Sequence, residues 1–447
     1  MSSVTDALSP AIAAPPILGL RSRFVGGIRW NLLAAIATQG AAYLVNILLA
    51  RLLKRQAFGE YAIIQNTLLT ASMIAQVGTG LTATKYVAEF RASDKVRVGR
   101  ILGLCFVVSA VTSVALALLL LAAAQPLARV MLASSTLAPS LMLGAGILVF
   151  SGMNGSQLGA LAGLESYRAL ARAASLSSLA LVALGSAGAF WGSLNGALTG
   201  LLAAAALQWL ILRITLNREL STQGIRISLK GFDKERAILT RFAVPAALSG
   251  LTSMPALWLA NTLLVHQPNG FSQMALFSAA ASTKSLMLFL PMIVNNVGTS
   301  LLNNQRGAGA ATRYRKVFWT NVAFASSTAL VGALILFVAS GPLLALFGKN
   351  FTDGQPILRI LIIGASIEAV TATIYQIIQA HERMMFSLLF IAIPRDVLIV
   401  TFAWFLVPLY GARGLALAYT LAWLAASFVY VGGAMRIGLS PNRTRDT

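Results

Sequence analysis

Residues 30–65 read WNLLAAIATQGAAYLVNILLARLLKRQAFGEYAIIQ, and this stretch decides the fold. It opens with an apolar run of about twenty residues, the length that crosses a bilayer as an α-helix. The run ends at three cations, Arg51, Lys54 and Arg55, and a second apolar run begins directly after Glu60. Two such runs joined by a short polar turn are typical of a pair of antiparallel membrane-spanning helices.

The whole chain continues this pattern. Of its 447 residues, 57% are hydrophobic and 11% are charged, and the mean hydropathy is +0.78. Soluble domains carry about 25% charged residues, so the composition excludes a soluble globular protein. The apolar residues suffice for roughly twelve helices of about 20 residues each. We predict an all-α, polytopic membrane protein with spans at 30–50, 61–83, 101–124, 137–160, 169–191, 194–213, 238–264, 274–300, 317–339, 356–380, 386–407 and 411–435.

The net charge of +21 reports membrane topology. A basic chain would ordinarily favour a nucleic-acid partner, but here 25 of the 34 cations lie in one alternate set of connections and seven in the other. The remaining two, Lys284 and Arg395, fall inside spans. Because Lys and Arg are enriched in cytoplasmic loops, we predict both termini in the cytoplasm and no nucleic-acid partner.

Two halves of the chain resemble each other. The turn-like Val77–Leu81 recurs as Val297–Leu301, and Asn46-Ile-Leu-Leu has an echo in Asn261-Thr-Leu-Leu, at offsets of 220 and 215 residues. Parallel repeats of this kind build transporters whose substrate site lies between the halves. We predict two six-helix repeats around a central cavity, divided into a cytoplasmic tail (1–29), a first lobe (30–213), a cytoplasmic linker (214–237), a second lobe (238–435) and a cytoplasmic tail (436–447).

The N-terminal residues resemble the opening of Wzx-type polysaccharide flippases. The likeness rests on Asn46, Ala50-Arg51, Phe58-Gly59-Glu60-Tyr61 and Gly80-Leu81, and it departs at Lys54-Arg55, where glycine or serine is common. It implies membership of the multidrug/oligosaccharidyl-lipid/polysaccharide exporter superfamily. Such a protein flips a polyprenyl-diphosphate-linked oligosaccharide to the outer leaflet by alternating access, for exopolysaccharide, capsule or O-antigen biosynthesis. The resemblance also implies a location in the bacterial inner membrane, with a polysaccharide polymerase and chain-length proteins as partners.

Four cations are candidate ligands of a substrate diphosphate: Lys284, Arg395, Arg51 and Arg29. A charge deep in a span costs about 2.5–3.5 kcal/mol on insertion scales, so Lys284 and Arg395 should face a hydrated cavity or a partner. Each has an alternative. Arg395 could pair with Asp396 or Glu368, Lys284 could snorkel to the interface, and Arg51 and Arg29 could be interfacial anchors.

Polar residues form stripes on several spans. Gln39, Tyr43 and Asn46 are spaced by four and three, which places them on one face of a helix. These three are predicted to line a sugar-binding cavity, together with Gln65, Gln76, Thr371, Tyr375 and Gln379. The alternative for each is a hydrogen bond that tethers two helices. Glu368 and Asp396 are the acids placed deep in spans, and they are candidates for ion coupling or for neutralising Arg395 or Lys284.

Catalytic and cofactor motifs are missing from the sequence. One cysteine (Cys105) and two distant histidines (His266 and His381) make no metal site, and no P-loop pattern occurs. We therefore predict a transporter that is not an enzyme and needs no cofactor. Three alternatives stay open: a cation-coupled multidrug exporter, a membrane polysaccharide polymerase or glycosyltransferase, and a scaffold that transports nothing.

Overall fold

The computed structural model describes residues 17–76, 78–231, 235–238, 243, 253–306, 311–380 and 388–437; the side chains of 17–28, 236, 290, 293–306, 311–318, 376–380 and 433–437 lie outside the description. The described residues are almost entirely helical and include no strand, which confirms the all-α prediction. Eight of the helices within them are long and apolar enough to cross a membrane. Two of these eight are broken helices that supply two spans each, which makes ten spans. With the shorter apolar helix Ser253–Val265 and the long helix Gly270–Arg306, the described helices are consistent with the twelve spans predicted.

The first lobe consists of helices joined by short turns. They are α1 (Ile17–Gln76), α2 (Thr79–Phe90), α3 (Lys95–Pro126, extended by a π-helical turn at Leu127–Met131), α4 (Ala138–Gly163) and α5 (Tyr167–Thr222). Non-helical backbone interrupts α1 at Lys54 and α5 at Gly192 and Ser193. The arms of α1 are called α1a (17–53) and α1b (55–76) below. Helix α1 begins before the predicted start of its first span, and α5 continues past residue 213.

Lys54 makes the turn between α1a and α1b in an unusual backbone conformation. Its φ of 63° and ψ of 175° fall in a region that is populated almost only by glycine. A side chain in such a region costs about 1–3 kcal/mol. Glycine, one of the two residues common here in the flippases that this chain resembles, would adopt this conformation without that cost.

We expect Lys54→Gly to stabilise the protein by about 1 kcal/mol. Glycine relieves the backbone strain, and this gain exceeds the free-energy cost of ordering a glycine, which is more flexible in the unfolded chain. The measurement is the midpoint of thermal unfolding in detergent. Lys54→Ala is the matched control, since it removes the same charge but keeps a Cβ atom. Equal stabilisation by both variants would show that the charge, and not the backbone, is responsible.

The second lobe contains α6 (Ser253–Val265), α7 (Gly270–Arg306), α8 (Ala311–Val338), α9 (Gln355–Ala380), α10 (Ile393–Tyr410) and α11 (Ala412–Ile437). A short helix (Ser340–Ala345) and a 3-10 segment (Lys349–Gly354) connect α8 to α9. Pro291 lies within α7, and Pro394 lies in the first turn of α10. Pro245 lies outside the described residues.

Helix packing separates the chain into two groups. Helices α1 to α5 pack mainly against one another, as do α6 to α11. Contact between the groups is made chiefly by α1, which packs on α6 and α7. The two arms of α1 therefore form the first lobe's side of the interface between the lobes.

The segment between the lobes is bound to the first lobe at residues 225–231 and 235–238. Gly99 of α3 and the glycine one turn later let the backbone of this segment lie directly on the helix, and Ser228 N donates to Gly99 O (3.1 Å). Farther along, the Glu235 carboxylate is 8% exposed and accepts from Arg97 Nε (3.2 Å). This part of the predicted linker is thus integrated into the first lobe.

Candidate functional site

A cavity of about 770 Å³ lies between the two lobes. Helices α1a and α1b form its first-lobe wall, and α6, α7 and α9 form the opposite wall. Its polar lining consists of Gln39, Asn46, Gln65, Asn66, Asn261, Ser278, Ser282, Lys284, Ser285 and Glu368. Methionines, leucines and phenylalanines supply most of the rest. This volume lies in the range of small-molecule binding sites, about 300–1,000 Å³.

Three polar side chains of α1a bind α7 across the interface. The hydrogen-bonded pairs are Gln39 Nε2 with Ser285 Oγ (2.9 Å), Tyr43 OH with Thr283 Oγ1 (3.3 Å) and Asn46 Nδ2 with Ser282 Oγ (3.3 Å). All three α1a residues belong to one predicted stripe, so they combine the two roles proposed for it. They tether the lobes, while Gln39 and Asn46 also line the cavity.

Lys284 is held beside the cavity by α9 and α11. Its ammonium donates to Tyr419 OH (2.8 Å), lies 3.7 Å from Glu368 Oε2 and is 4.2 Å from the centroid of the Tyr419 ring. Tyr419 OH in turn donates to Glu368 Oε2. The Lys284 and Glu368 side chains are 15% and 24% exposed, and both line the cavity. The cation is therefore positioned at the cavity wall by partners of its own lobe.

Arg395 forms a local ion pair and is absent from the described cavity lining. Its guanidinium donates to Asp396 Oδ1 through Nε and Nη2 (2.9 and 2.6 Å) and to Ser253 Oγ (2.6 Å). Ser253 Oγ also donates to Asp396 Oδ2 (3.1 Å). Of the alternatives for Arg395, the structure shows the ion pair with Asp396. The long side chain bends back to its neighbour in the first turn of α10, directly after a π-helical turn.

Aromatic rings connect the two buried cations. The Arg395 guanidinium lies 4.6 Å from the centroid of the Trp423 ring. Trp423 meets Tyr419 edge to face at 6.4 Å, and Tyr419 carries Lys284 on its face. Cation–π contacts are strengthened where the cation is desolvated. Arg395 and Lys284 therefore contact the two neighbouring rings of one aromatic pair, and Arg395 is absent from the described cavity lining.

The other two candidate diphosphate ligands lie outside the described cavity lining. Arg51 is exposed at the end of α1a, where its Nε donates to Leu346 O (2.6 Å). Arg29 is exposed near the opposite end of the same arm. Both positions are those of interfacial cations, and the cavity cation in this conformation is Lys284.

The remaining candidates for the sugar site are divided between the cavity and the lobe interiors. Gln65 lines the cavity. Gln76 packs against α4, Thr371 Oγ1 donates to the carbonyl one turn earlier (2.6 Å), and the Tyr375 ring meets a tyrosine of α11 edge to face. The side chain of Gln379 lies outside the described residues.

The lobes are pinned together at the end of the molecule that carries Lys54. Arg55 Nη1 lies 2.9 Å from Asp353 Oδ2 and donates to Asn350 O (3.3 Å), while Arg55 Nε donates to Ser272 O (3.3 Å). Together with the Arg51 bond, these contacts join the α1 turn to the second lobe. We call this region, residues 51–59 with 271–272 and 346–353, the sealed end.

The Phe-Gly-x-Tyr motif forms the core of the sealed end. Phe58 is fully buried and packs on Phe347 and Phe351, with centroid distances of 6.3 and 5.8 Å. A Cβ atom on Gly59 would overlap the backbone carbonyl of Phe271 in the second lobe. The motif therefore brings the two backbones together, and its glycine is required by this close approach.

Several cavity residues were not predicted from the sequence. Ser278, Ser282 and Ser285 are spaced by four and three, the same spacing that predicts the α1a stripe. Because serine is common in membrane-spanning helices, this spacing of serines is a weaker signal for a cavity. Asn261 also lines the cavity. It is the repeat counterpart of Asn46, so the internal repeat itself contained the signal for this residue.

Comparison with known proteins decides the family. The family described as "Polysaccharide biosynthesis protein" matches residues 24–302, more than half of the chain. The chain belongs to this family. As a family member, it is similar to the EPS I polysaccharide export inner membrane protein EpsE of Ralstonia nicotianae, with 24% identity over 445 residues, covering 96% of this chain and 99% of that protein.

Solved structures show the same fold. An inward-facing multidrug resistance MATE family transporter of the MOP superfamily has a TM-score of 0.79 at 17% identity, covering 93% of this chain and all of that one. The lipid II flippase MurJ, in an inward closed conformation, has a TM-score of 0.73 at 13% identity, covering 90% and 86%. These likenesses show the fold that the resemblance implied. The chain is a multi-pass membrane protein of the polysaccharide biosynthesis family with the fold of those transporters.

Proposed function

We propose that the protein flips a polyprenyl-diphosphate-linked oligosaccharide from the cytoplasmic to the outer leaflet, for exopolysaccharide, capsule or O-antigen biosynthesis. The observation that carries the proposal is the cavity between the lobes, which combines one positioned cation with amides and hydroxyls. A diphosphate requires a cation in a poorly hydrated environment, and a sugar requires hydrogen-bonding groups. This cavity supplies both on facing walls.

The substrate contacts follow from the lining. Lys284 binds the diphosphate, and Arg395, paired with Asp396, holds Trp423 beside the Tyr419 ring that Lys284 contacts. Gln39, Asn46 and Gln65 bind sugar hydroxyls from the first lobe, opposite the serines of α7. The lipid tail remains in the bilayer, because the cavity is too small to enclose a long polyprenyl chain together with the sugar.

Transport requires that the sealed end open and the other end close. With both termini in the cytoplasm, as the distribution of cations predicts, the sealed end faces the periplasm. Glu368 is the coupling candidate that lines the cavity, and a proton or cation bound there would change the pairing of Lys284. Asp396 is paired with Arg395, so we assign it the structural role of holding the Arg395 side chain in place. The polymerase and chain-length proteins would take up the substrate after release.

Reconstitution tests the proposal. Purified protein in vesicles should bring a fluorescent polyprenyl-diphosphate oligosaccharide within reach of a membrane-impermeant glycosidase many times faster than protein-free vesicles do. The same lipid with its diphosphate replaced by a neutral linker should cross at the protein-free rate. If the protein transports cationic dyes but does not accelerate the crossing of the lipid-linked sugar, the flippase proposal is wrong and the multidrug exporter is favoured.

A further inference from the structure

A second pocket, of about 660 Å³, lies in the first lobe at the end opposite the sealed end. Four chain segments meet there: the start of α1a, the α2–α3 turn, the α4–α5 turn and the end of α5. We call it the basal pocket; it is lined by Trp30, Arg91, Ala92, Lys95, Leu164, Glu165, Tyr167, Arg168, Thr222 and Gln223. None of these residues lines the central cavity, so the basal pocket is a separate site.

Charge in the basal pocket is predominantly positive. Three of its lining residues are cations and one, Glu165, is an anion, which leaves two positive charges in excess. Glu165 pairs with Arg91 (2.5 Å). Lys95 and Arg168 have no carboxylate partner within the part of the chain that the structure describes, and the Arg168 guanidinium instead lies 5.6 Å from the centroid of the Trp30 ring. Two cations are therefore available to an anionic ligand.

The surroundings of these cations match the headgroup region of a bilayer. Trp30 and Tyr167 line the pocket, and both residue types concentrate at the membrane–water interface. Helix α5 begins at Tyr167, and its N-cap residue Ser166 donates its hydroxyl to Glu219 (2.7 Å) without capping the helix. The positive end of the α5 dipole therefore adds to the field of Lys95 and Arg168.

We propose that the basal pocket binds the phosphate headgroup of a membrane lipid. Basic pockets between spanning helices at this level are suited to anionic headgroups, and the guanidinium of Arg168 matches the oxygens of a phosphate. The lipid could come from the bulk anionic phospholipids or from the polyprenyl phosphate carriers of the same membrane. The shared ligand is a phosphate ester on a lipid chain, and the site does not depend on the proposed flippase activity.

Native mass spectrometry of the full-length protein, released from nanodiscs, tests the proposal. The nanodiscs contain phosphatidylcholine alone or with phosphatidylglycerol or undecaprenyl phosphate. The wild type should retain one anionic lipid, and it should retain this lipid more strongly than phosphatidylcholine. The double variant Lys95→Gln/Arg168→Gln removes two interfacial cations. It should weaken this retention about thirtyfold, because each cation contributes about 1 kcal/mol to lipid binding. Arg129→Gln, which removes an exposed cation at the other end of the lobe, is the matched control and should retain the lipid.

Each outcome is decisive. Retention of phosphatidylglycerol identifies the bulk phospholipid as the source, and retention of undecaprenyl phosphate alone identifies the carrier. Equal retention by the double variant and the wild type would overturn the proposal. So would displacement of the lipid by millimolar inorganic phosphate, which would mark the pocket as a site for the free ion. Both replaced side chains are exposed, so a correctly inserted double variant is expected.

Discussion

Lys284→Gln is expected to lower export of the lipid-linked sugar by about thirtyfold while leaving the protein in the membrane. A hydrogen bond to a charged group contributes about 1.5–3 kcal/mol, and about 2 kcal/mol corresponds to a factor of about thirty. Glutamine keeps the approximate length and polarity of the side chain but cannot balance the charge of a diphosphate. Export is measured as polymer formed by cells that carry the variant, normalised to the amount of protein in the inner membrane.

A second variant separates two roles of Lys284. The ammonium lies 3.7 Å from Glu368, so Lys284→Gln also leaves a half-buried carboxylate without its cation. The double variant Lys284→Gln/Glu368→Gln removes both charges. If Lys284 only neutralises Glu368, the double variant exports as well as Glu368→Gln alone; if Lys284 binds the diphosphate, the double variant exports far less than Glu368→Gln. Lys349→Gln, at an exposed lysine of the sealed end, controls for loss of one positive charge and should export normally.

Gly59→Ala should shift the protein away from the conformation with a sealed end. The added Cβ atom would overlap the carbonyl of Phe271 across the interface. Overpacking of a close contact costs about 1–3 kcal/mol, which changes the ratio of sealed to open protein by about 5- to 150-fold. Because transport requires both conformations, export should fall even though every cavity residue is intact.

Thiol labelling measures this shift. The native cysteine, Cys105, is fully buried, so an Asn46→Cys variant gives a low-background probe of the cavity. With a membrane-impermeant reagent added from the periplasm, Gly59→Ala should increase labelling at position 46. Gly40→Ala is the matched control, since a Cβ on Gly40 of the same helix meets no atom within 4 Å. Equal labelling of the two glycine variants would contradict a role for the sealed end in closure.

The sequence predicts the fold well because membrane insertion leaves strong one-dimensional signals. Apolar run lengths located the helices, and the short polar interval near Gly192 anticipated two spans joined with almost no loop. Exact ends were less predictable, since α5 continues through Thr222 as a helix that has left the apolar run. Helix propensity extends α5 here, as does packing of its last turns on Ile225 and Ile238. A hydropathy pattern reports neither effect.

The cavity was only partly predictable. Spacing placed Gln39, Tyr43 and Asn46 on one face of a helix, but could not show which neighbour that face meets. For Arg395, the decision between a substrate and Asp396 depends on side-chain conformation in the first turn of α10, which residue identity does not fix. The role of Gly59 was also hidden, because a close approach of two backbones leaves no trace in composition.

The attachment of residues 225–231 and Glu235 to α3 changes where the chain can be divided. Loops between lobes are the usual choice for inserting a reporter domain or for expressing two halves separately. Here, an insertion near Ser228 would have to break the hydrogen bond to Gly99 and displace backbone that lies directly on α3. A first half intended to be expressed alone should therefore keep Glu235 and Ile238, since ending it at Thr222 would expose the apolar and charged groups that this segment covers.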